Sequence, residues 1–163
     1  MTEGCGVESH AKALSSKERR SVLTSTMSTI YQTYPALASL ERSPFSAILG
    51  LKVESATAGA AVVRMPFALR LLNDGGPEVP IHGGAIASLA DFAACAAIWT
   101  MPETQRSATI SITVNYTAPG IQSDLVARAR VRSKGKRVAS IAVEIHDQAG
   151  GLVADALVTY KIA

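Results

Sequence analysis

The sequence predicts an α+β fold in which one long, mostly antiparallel sheet carries a single central helix against its face. In the C-terminal half, four runs alternate apolar and polar side chains with period two, over 107–117, 124–133, 137–147 and 152–162. Turns at Pro119-Gly120, Lys134-Gly135-Lys136 and Ala149-Gly150-Gly151 separate them, and connections that short imply antiparallel meander pairing. Upstream lies the one strongly helical stretch. From Gly84 to about Met101, Ile86, Leu89, Ala90, Ala93, Ala97 and Met101 recur at helical spacing, and Pro102 stops the run. Its many alanines predict a helix packed closely on several sides.

The remaining elements follow from local signals. Ser15-Ser16-Lys17-Glu18 reads as a capping box, which predicts a helix over 16–34 with a loose apolar stripe at Val22, Met27, Ile30 and Tyr34. Phe45 to Leu49 predicts a helical turn that stops at Gly50. Leu51–Thr57 and Ala60–Phe67 flank Ala58-Gly59 as the two arms of a hairpin, the first strands of the sheet. Residues 72–82, LNDGGPEVPIH, concentrate Asn, Asp, Gly and Pro and predict an irregular loop. Residues 1–43 therefore read as a frayed tail and helix, and 44–163 as one domain without internal repeats.

Composition bounds the function. A chain of 163 residues suits one domain and buries about two-thirds of the surface its unfolded form exposes. With 48% hydrophobic and 18% charged residues it is too apolar for disorder, and the balance suits a compact core or a buried oligomer interface. A net charge of +3 suits an anionic small molecule and falls short of a nucleic-acid-binding signature. Cys5 and Cys95 form no CxxC pair, which argues against a disulfide framework and a zinc site and favours a reducing, cytoplasmic setting. No signal-peptide h-region or bilayer-length apolar run is present; the Ser, Thr and basic residues of 9–33 leave a transit peptide open, with Glu3, Glu8 and Glu18 against it. Walker, GxGxxG and GxSxG motifs are absent, so nucleotide hydrolysis, Rossmann cofactors and serine-hydrolase chemistry have no support.

Asp91 is the residue hardest to explain as structure. It lies inside the most apolar helix, flanked at helical spacing by Ala87, Ser88, Ala94 and Cys95, and no Lys or Arg occurs between Arg70 and Arg106. A carboxylate there either reaches solvent, finds a distant partner, or is pushed toward its neutral form, the condition that a general base or nucleophile exploits. Gly83-Gly84 opens the helix with unobstructed N–H groups at the positive end of its dipole, suited to an oxygen gaining charge; equally, the pair permits a sharp loop-to-helix turn. His82 beside them bonds loop backbone, moves a proton or contacts substrate. Arg128, Arg130 and Arg132 share one strand face, and Lys134, Lys136 and Arg137 crowd the next hairpin; these cations either hold phosphates or solvate an exposed face.

Together HGGAIASLAD, His82 to Asp91, and SATISITVNYTAP, Ser107 to Pro119, resemble the hotdog-fold acyl-CoA thioesterases of the phenylacetic-acid-degradation type. The likeness runs from about Pro44 to Ile162 and rests on His-Gly-Gly, the carboxylate nine positions after the His, and the strand ending in Asn-Tyr-x-x-Pro. It implies an antiparallel sheet wrapped around the central helix behind an N-terminal helical extension. It also implies a homodimer with active sites at the interface, often doubled to a homotetramer, and no metal or other cofactor. Asp91 of one subunit would act as nucleophile or as base on water, and the Gly83 N–H of the other would polarise the thioester carbonyl. His82 belongs to the same motif, and Thr109 matches a Ser/Thr position that orients the water or the carboxylate. Asn73 matches an Asn that usually stands about six residues before the His; here it stands nine before, so GGPEVP reads as a small insertion.

On the same likeness Gly84 and Ser88 border the substrate, while Arg128, Arg130, Lys134, Lys136 and Arg137 are the candidates for coenzyme A. The expected substrate is a small or medium acyl-CoA, aromatic acyl groups included, with no nucleic-acid or membrane partner. A hotdog hydratase or dehydratase is the neighbouring alternative, and the order His then Asp counts against it. A non-catalytic acyl-CoA sensor is the other, but residues 1–43 offer one clear helix where a helix-turn-helix needs two.

Overall fold

A computed structural model of the chain describes residue 15 and residues 28–76, 78–102, 104 and 106–163. The capping box and most of the helix expected over 16–34 lie outside the described residues. Residues 28–33 are helical (α1), and the helix ends at Tyr34, whose φ of −129° and ψ of 73° leave the helical region. The cause is Pro35, which crowds the preceding residue out of the αR conformation and opens a second helix, α2 (Pro35–Glu41), that the sequence reading did not separate. Helix α3 (Pro44–Leu49) follows, capped by the Ser43 hydroxyl and closed by Gly50 at a φ of 70°.

Strands β1 (Lys52–Thr57) and β2 (Ala60–Met65) form the expected hairpin. Helix α4 (Gly83–Trp99) is the expected central helix and begins one residue earlier than predicted, with His82 as its N-cap. Strands β3 (Ser107–Tyr116), β4 (Leu125–Lys134), β5 (Val138–His146) and β6 (Leu152–Ile162) complete a six-stranded, wholly antiparallel sheet. Its order is β1-β2-β4-β5-β6-β3. Strands β4, β5 and β6 make the predicted meander, but β3 does not pair with β4. The Pro119-Gly120 segment is a crossover rather than a hairpin turn: Thr117 N–H and Ala118 N–H donate to the Val153 carbonyl, and Gly120 O accepts from Ile81 N–H. Residues 117–124 are long enough to pass the ends of β6 and β5 at about 4.8 Å per strand.

The inward faces of β2, β4 and β5 pack on α4. Inward β4 residues Leu125, Ala127 and Ala129 are buried while Arg128, Arg130 and Arg132 on the other face are exposed, so alternation separates core from solvent as predicted. Ala90, Ala93, Ala94, Ala96 and Ala97 of α4 are fully buried, because a methyl side chain lets backbone and sheet approach closely. Strand β3 breaks the pattern. All but Ser107 and Val114 of its residues are exposed, on both faces, at an edge of the sheet.

The opposite edge is closed by a buried charge. Glu41, only 8% exposed, ends α2 and accepts from Val53 N–H at 2.6 Å, the Tyr31 hydroxyl at 2.6 Å and the Lys52 ammonium at 3.2 Å. It thereby ties α1 and α2 to β1. Burial, then the bond to Glu41, pushes the Tyr31 phenol up from its usual range, so it stays a donor. Glu41→Ala leaves buried donors unpaired and is expected to lower stability by about 3 kcal/mol, read as a lower denaturation midpoint with an unchanged m-value.

Candidate active site

The entry into α4 is built by His82. Its main-chain N–H donates to the Leu71 carbonyl at 2.7 Å, and its Nδ1 accepts from Gly84 N–H at 2.8 Å. An acceptor at Nδ1 fixes the neutral ring with its proton on Nε2. The His82 carbonyl takes Ala85 N–H at 2.9 Å and Ile86 N–H at 3.3 Å. Of the first-turn donors this leaves Gly83 N–H without a protein acceptor among the described residues. At both glycines a side chain would crowd a neighbour. A Cβ on Gly84 would stand 2.9 Å from His82 Nδ1, and one on Gly83 would stand 3.3 Å from the Tyr116 ring, whose hydroxyl donates to the Gly83 carbonyl at 2.9 Å.

The loop before His82 accounts for the spacing of Asn73. Leu72 bridges Ile81 across an antiparallel pair, and Asn73 N–H donates to Pro80 O at 3.1 Å, so the intervening residues loop out from a closed base. Asn73 thus lies near His82 despite the sequence separation, with its side chain exposed.

Two turns further along α4, Asp91 finds the distant partners that its neighbours in sequence cannot supply. Its Oδ1 accepts from Thr109 Oγ1 on β3 at 2.9 Å and from the Tyr160 hydroxyl on β6 at 2.7 Å, and Tyr160 also lies 2.9 Å from the Asp91 main-chain carbonyl. Oδ2 has no protein partner among the described residues. The carboxylate lines a cavity of about 430 Å³ whose other walls include Leu40, Phe45, Leu51, Phe92 and Ile112. Ser88, one turn before Asp91, borders the same cavity and spends its hydroxyl proton on the Gly84 carbonyl at 2.8 Å. Cys95, one turn beyond, also lines it, and burial pushes its thiol up to about 11.

The cations divide into two groups. Lys134 and Lys136 on the β4–β5 hairpin border a cleft of about 440 Å³ with Ile162 and Ala163, and the Arg137 carbonyl accepts from Ile162 N–H at 2.9 Å. Since Ala139 pairs with Tyr160, this hairpin lies at the same end of the sheet as the Asp91 carboxylate. Arg128 and Arg130 instead project from the face opposite α4, where Arg128 stands across from Glu144, and Arg132 shares that row. No group of three His, Cys, Asp or Glu side chains among the described residues is arranged to hold a metal ion.

Gly83 and Asp91 are eight positions apart on a straight helix, about 12 Å at 1.5 Å per residue.

Several contributors escaped the sequence reading. Tyr160 has the inward phase of β6, a signal that alternation supplies, but its neighbour depends on strand order. Leu40 and Phe45 reach the cavity only because α2 and α3 fold back over α4. The Tyr116 hydroxyl lay within the Asn-Tyr-x-x-Pro motif without an assigned role.

Residues 81–154 match the family model described as the thioesterase superfamily. The PaaI protein of the Escherichia coli phenylacetic acid degradation operon has a similar structure, with a TM-score of 0.69 and 28% identity over 86% of this chain and 96% of that one. An N-to-D mutant of the phenylacetic acid degradation protein PaaI from Thermus thermophilus is 32% identical, with a TM-score of 0.65 over 73% of this chain and 98% of its own. A protein of Saccharolobus solfataricus, provisionally named an esterase, is 26% identical over 114 residues, 70% of this chain and 74% of its own length. With the helix-on-sheet architecture and the His-Gly-Gly to Asp segment in the matched region, the chain belongs to the thioesterase superfamily as a hotdog-fold hydrolase of the PaaI type.

Proposed function

We propose that the protein hydrolyses the thioester of a small or medium acyl-CoA, aromatic acyl groups included, to the free acid and coenzyme A. The observation that carries this reading is the Asp91 carboxylate at the wall of a mostly apolar cavity, with one oxygen held by two hydroxyls and the other unpartnered. Oδ2 takes a proton from water as the water oxygen bonds to the thioester carbon; attack by Oδ2 itself would use the same geometry. The carbonyl oxygen gains charge and accepts from Gly83 N–H at a helix N-terminus. Collapse breaks the C–S bond, and the departing sulfur takes the proton from Asp91.

Because about 12 Å of helix separates the two groups, that donor is Gly83 of the partner subunit. Strand β3 favours such a partner. It is an edge strand without Lys or Pro, and Ile110, Ile112 and Tyr116 are 57%, 37% and 53% exposed on it. Thr109 near one end of β3 touches Asp91, and Tyr116 at the other touches Gly83. Antiparallel self-pairing with Thr109 opposite Tyr116 of the partner subunit therefore brings each Asp91 toward the other copy's Gly83. The minimal unit is a homodimer, and a homotetramer would be two of them. His82 holds the helix entry, and Asn73 at the adjacent loop base orients water or carbonyl.

The acyl chain occupies the cavity between α4 and the N-terminal helices, beside Ser88. The phosphates of coenzyme A take Lys134, Lys136 and Arg137, while Arg128 and Arg130, on the far face of the sheet, fall outside this site in the same subunit. No helix among the described residues is long and apolar enough to cross a membrane.

Release of free thiol from a panel of short, medium, long and aromatic acyl-CoA esters tests the reading directly. Asp91→Ala is expected to lower kcat by about 100-fold or more with the fold intact. Absence of turnover in the wild type, with tight acyl-CoA binding in both proteins, would overturn hydrolysis in favour of a binding module. Lys136→Ala and Arg137→Ala should each raise KM for the CoA ester about tenfold, leaving the KM of the matching acyl-pantetheine unchanged. In a Cys5→Ser background, Cys95 should be alkylated slowly at pH 8, where its thiol is protonated, and faster as pH approaches 11. Bound product acid should slow that alkylation further.

A further inference from the structure

We infer that Tyr160 is a positioning residue that selects which oxygen of Asp91 reacts, an inference that rests on Asp91 being the reacting group. Four observations support it. Tyr160 is 2% exposed, and its hydroxyl lies 2.7 Å from Oδ1. On the inward row of β6 its neighbours are Ala156, Val158 and Ile162, so it brings the row's one polar group to the underside of α4. It pairs across the ladder with Thr109, so the two hydroxyls reach Oδ1 from adjacent strands. Finally, its hydroxyl also lies 2.9 Å from the Asp91 main-chain carbonyl, which ties it to the helix backbone as well as to the side chain.

A carboxylate with both donors on one oxygen is held against rotation about its terminal torsion, and its second oxygen keeps its lone pairs for water or substrate. A hydroxyl donating to a carboxylate stabilises the charged form, since the protonated acid is a poorer acceptor. Burial chiefly, with the nearby Cys95 and Asp91, raises the phenol far above its usual range, so Tyr160 keeps its proton and remains a donor throughout the working pH range. Thr109 cannot substitute for it. Thr109 sits exposed on the edge strand, whereas Tyr160 is buried on the inward row of β6.

Removing the hydroxyl leaves Oδ1 with one donor and frees the carboxylate to turn about its terminal torsion. Tyr160→Phe is expected to lower kcat about tenfold. KM should stay within about twofold, because the ring and the cavity wall are retained. A loss that falls on KM rather than on kcat would overturn the inference, as would a kcat equal to that of the wild type.

A readout independent of turnover separates this inference from the hydrolase reading. In protein carrying ¹³C-labelled aspartate carboxyls, the Asp91 resonance, assigned by its loss in Asp91→Asn, is compared in wild type and Tyr160→Phe at one pH. A displaced or exchange-broadened resonance in the variant supports the positioning role whether or not acyl-CoA is hydrolysed, and a resonance unchanged in position and width rejects it. Failure of the hydrolase reading appears elsewhere, as wild-type and Asp91→Ala proteins that are equally inert toward every ester.

Discussion

The structure depends on enclosing a helix that is apolar on nearly every side. Ten of the 17 residues of α4 are buried, alanines on several of its faces. A helix of this kind has no solvent face to offer, so it cannot lie on a sheet as an ordinary amphipathic helix does. The sheet must wrap it, and the rest must be covered from elsewhere. Strands β2, β4 and β5 supply one side. Helices α2 and α3 supply part of another, and Glu41 holds them there by capping Val53 N–H on the edge strand β1. The cavity is the volume this enclosure leaves where α2, α3, α4 and β3 fail to meet.

Within that enclosure Asp91 is the one charge on α4, and its solvation is inverted relative to a surface carboxylate. Cations are absent from its surroundings in sequence, and hydroxyls from two adjacent strands replace them. This arrangement differs from an ion pair in a useful way. A guanidinium would satisfy both oxygens and remain a strong electrostatic sink as charge moves onto the substrate. Two hydroxyls on Oδ1 orient the group without engaging Oδ2, so orientation is obtained while the oxygen proposed to react stays free.

Much of this was legible in the sequence, because its signals are local. The period-two runs gave β4, β5 and β6, the alanine-rich run gave α4, and the missing cations around Asp91 marked it as anomalous. What was not legible depends on strand order. A turn-like Pro119-Gly120 suggested that β3 pairs with β4, yet β3 lies at the far edge beside β6. Only that placement brings Thr109 and Tyr160 together beneath Asp91. Pro35 carried a readable break that the longer helical pattern obscured, which hid α2 and its contribution to the cavity wall. Ser88 and Gly84 sit at the expected place, but their hydrogen-bonding groups are engaged within α4, which no spacing rule reports.

The bare edge of β3 then follows from function as much as from folding. Proteins commonly blunt edge strands with charges, prolines or bulges, since an open edge invites other chains. The β1 edge is managed in that way, by Glu41 and the helices it anchors. β3 has a bulge at Thr109/Ser111 but is otherwise long, uncharged and partly apolar. It is also the strand that touches both halves of the proposed machinery, Asp91 through Thr109 and Gly83 through Tyr116. Those halves lie about 12 Å apart along the axis of one helix, a separation that favours two copies over one for reaching a single carbonyl. A two-fold axis through an antiparallel β3 pair exchanges the two ends of the strand, and so brings one copy's carboxylate to the other copy's helix N-terminus. In the proposed pair, charging or covering that edge would protect the monomer and dismantle the site, so an aggregation liability in one chain would become the element that assembles two active sites.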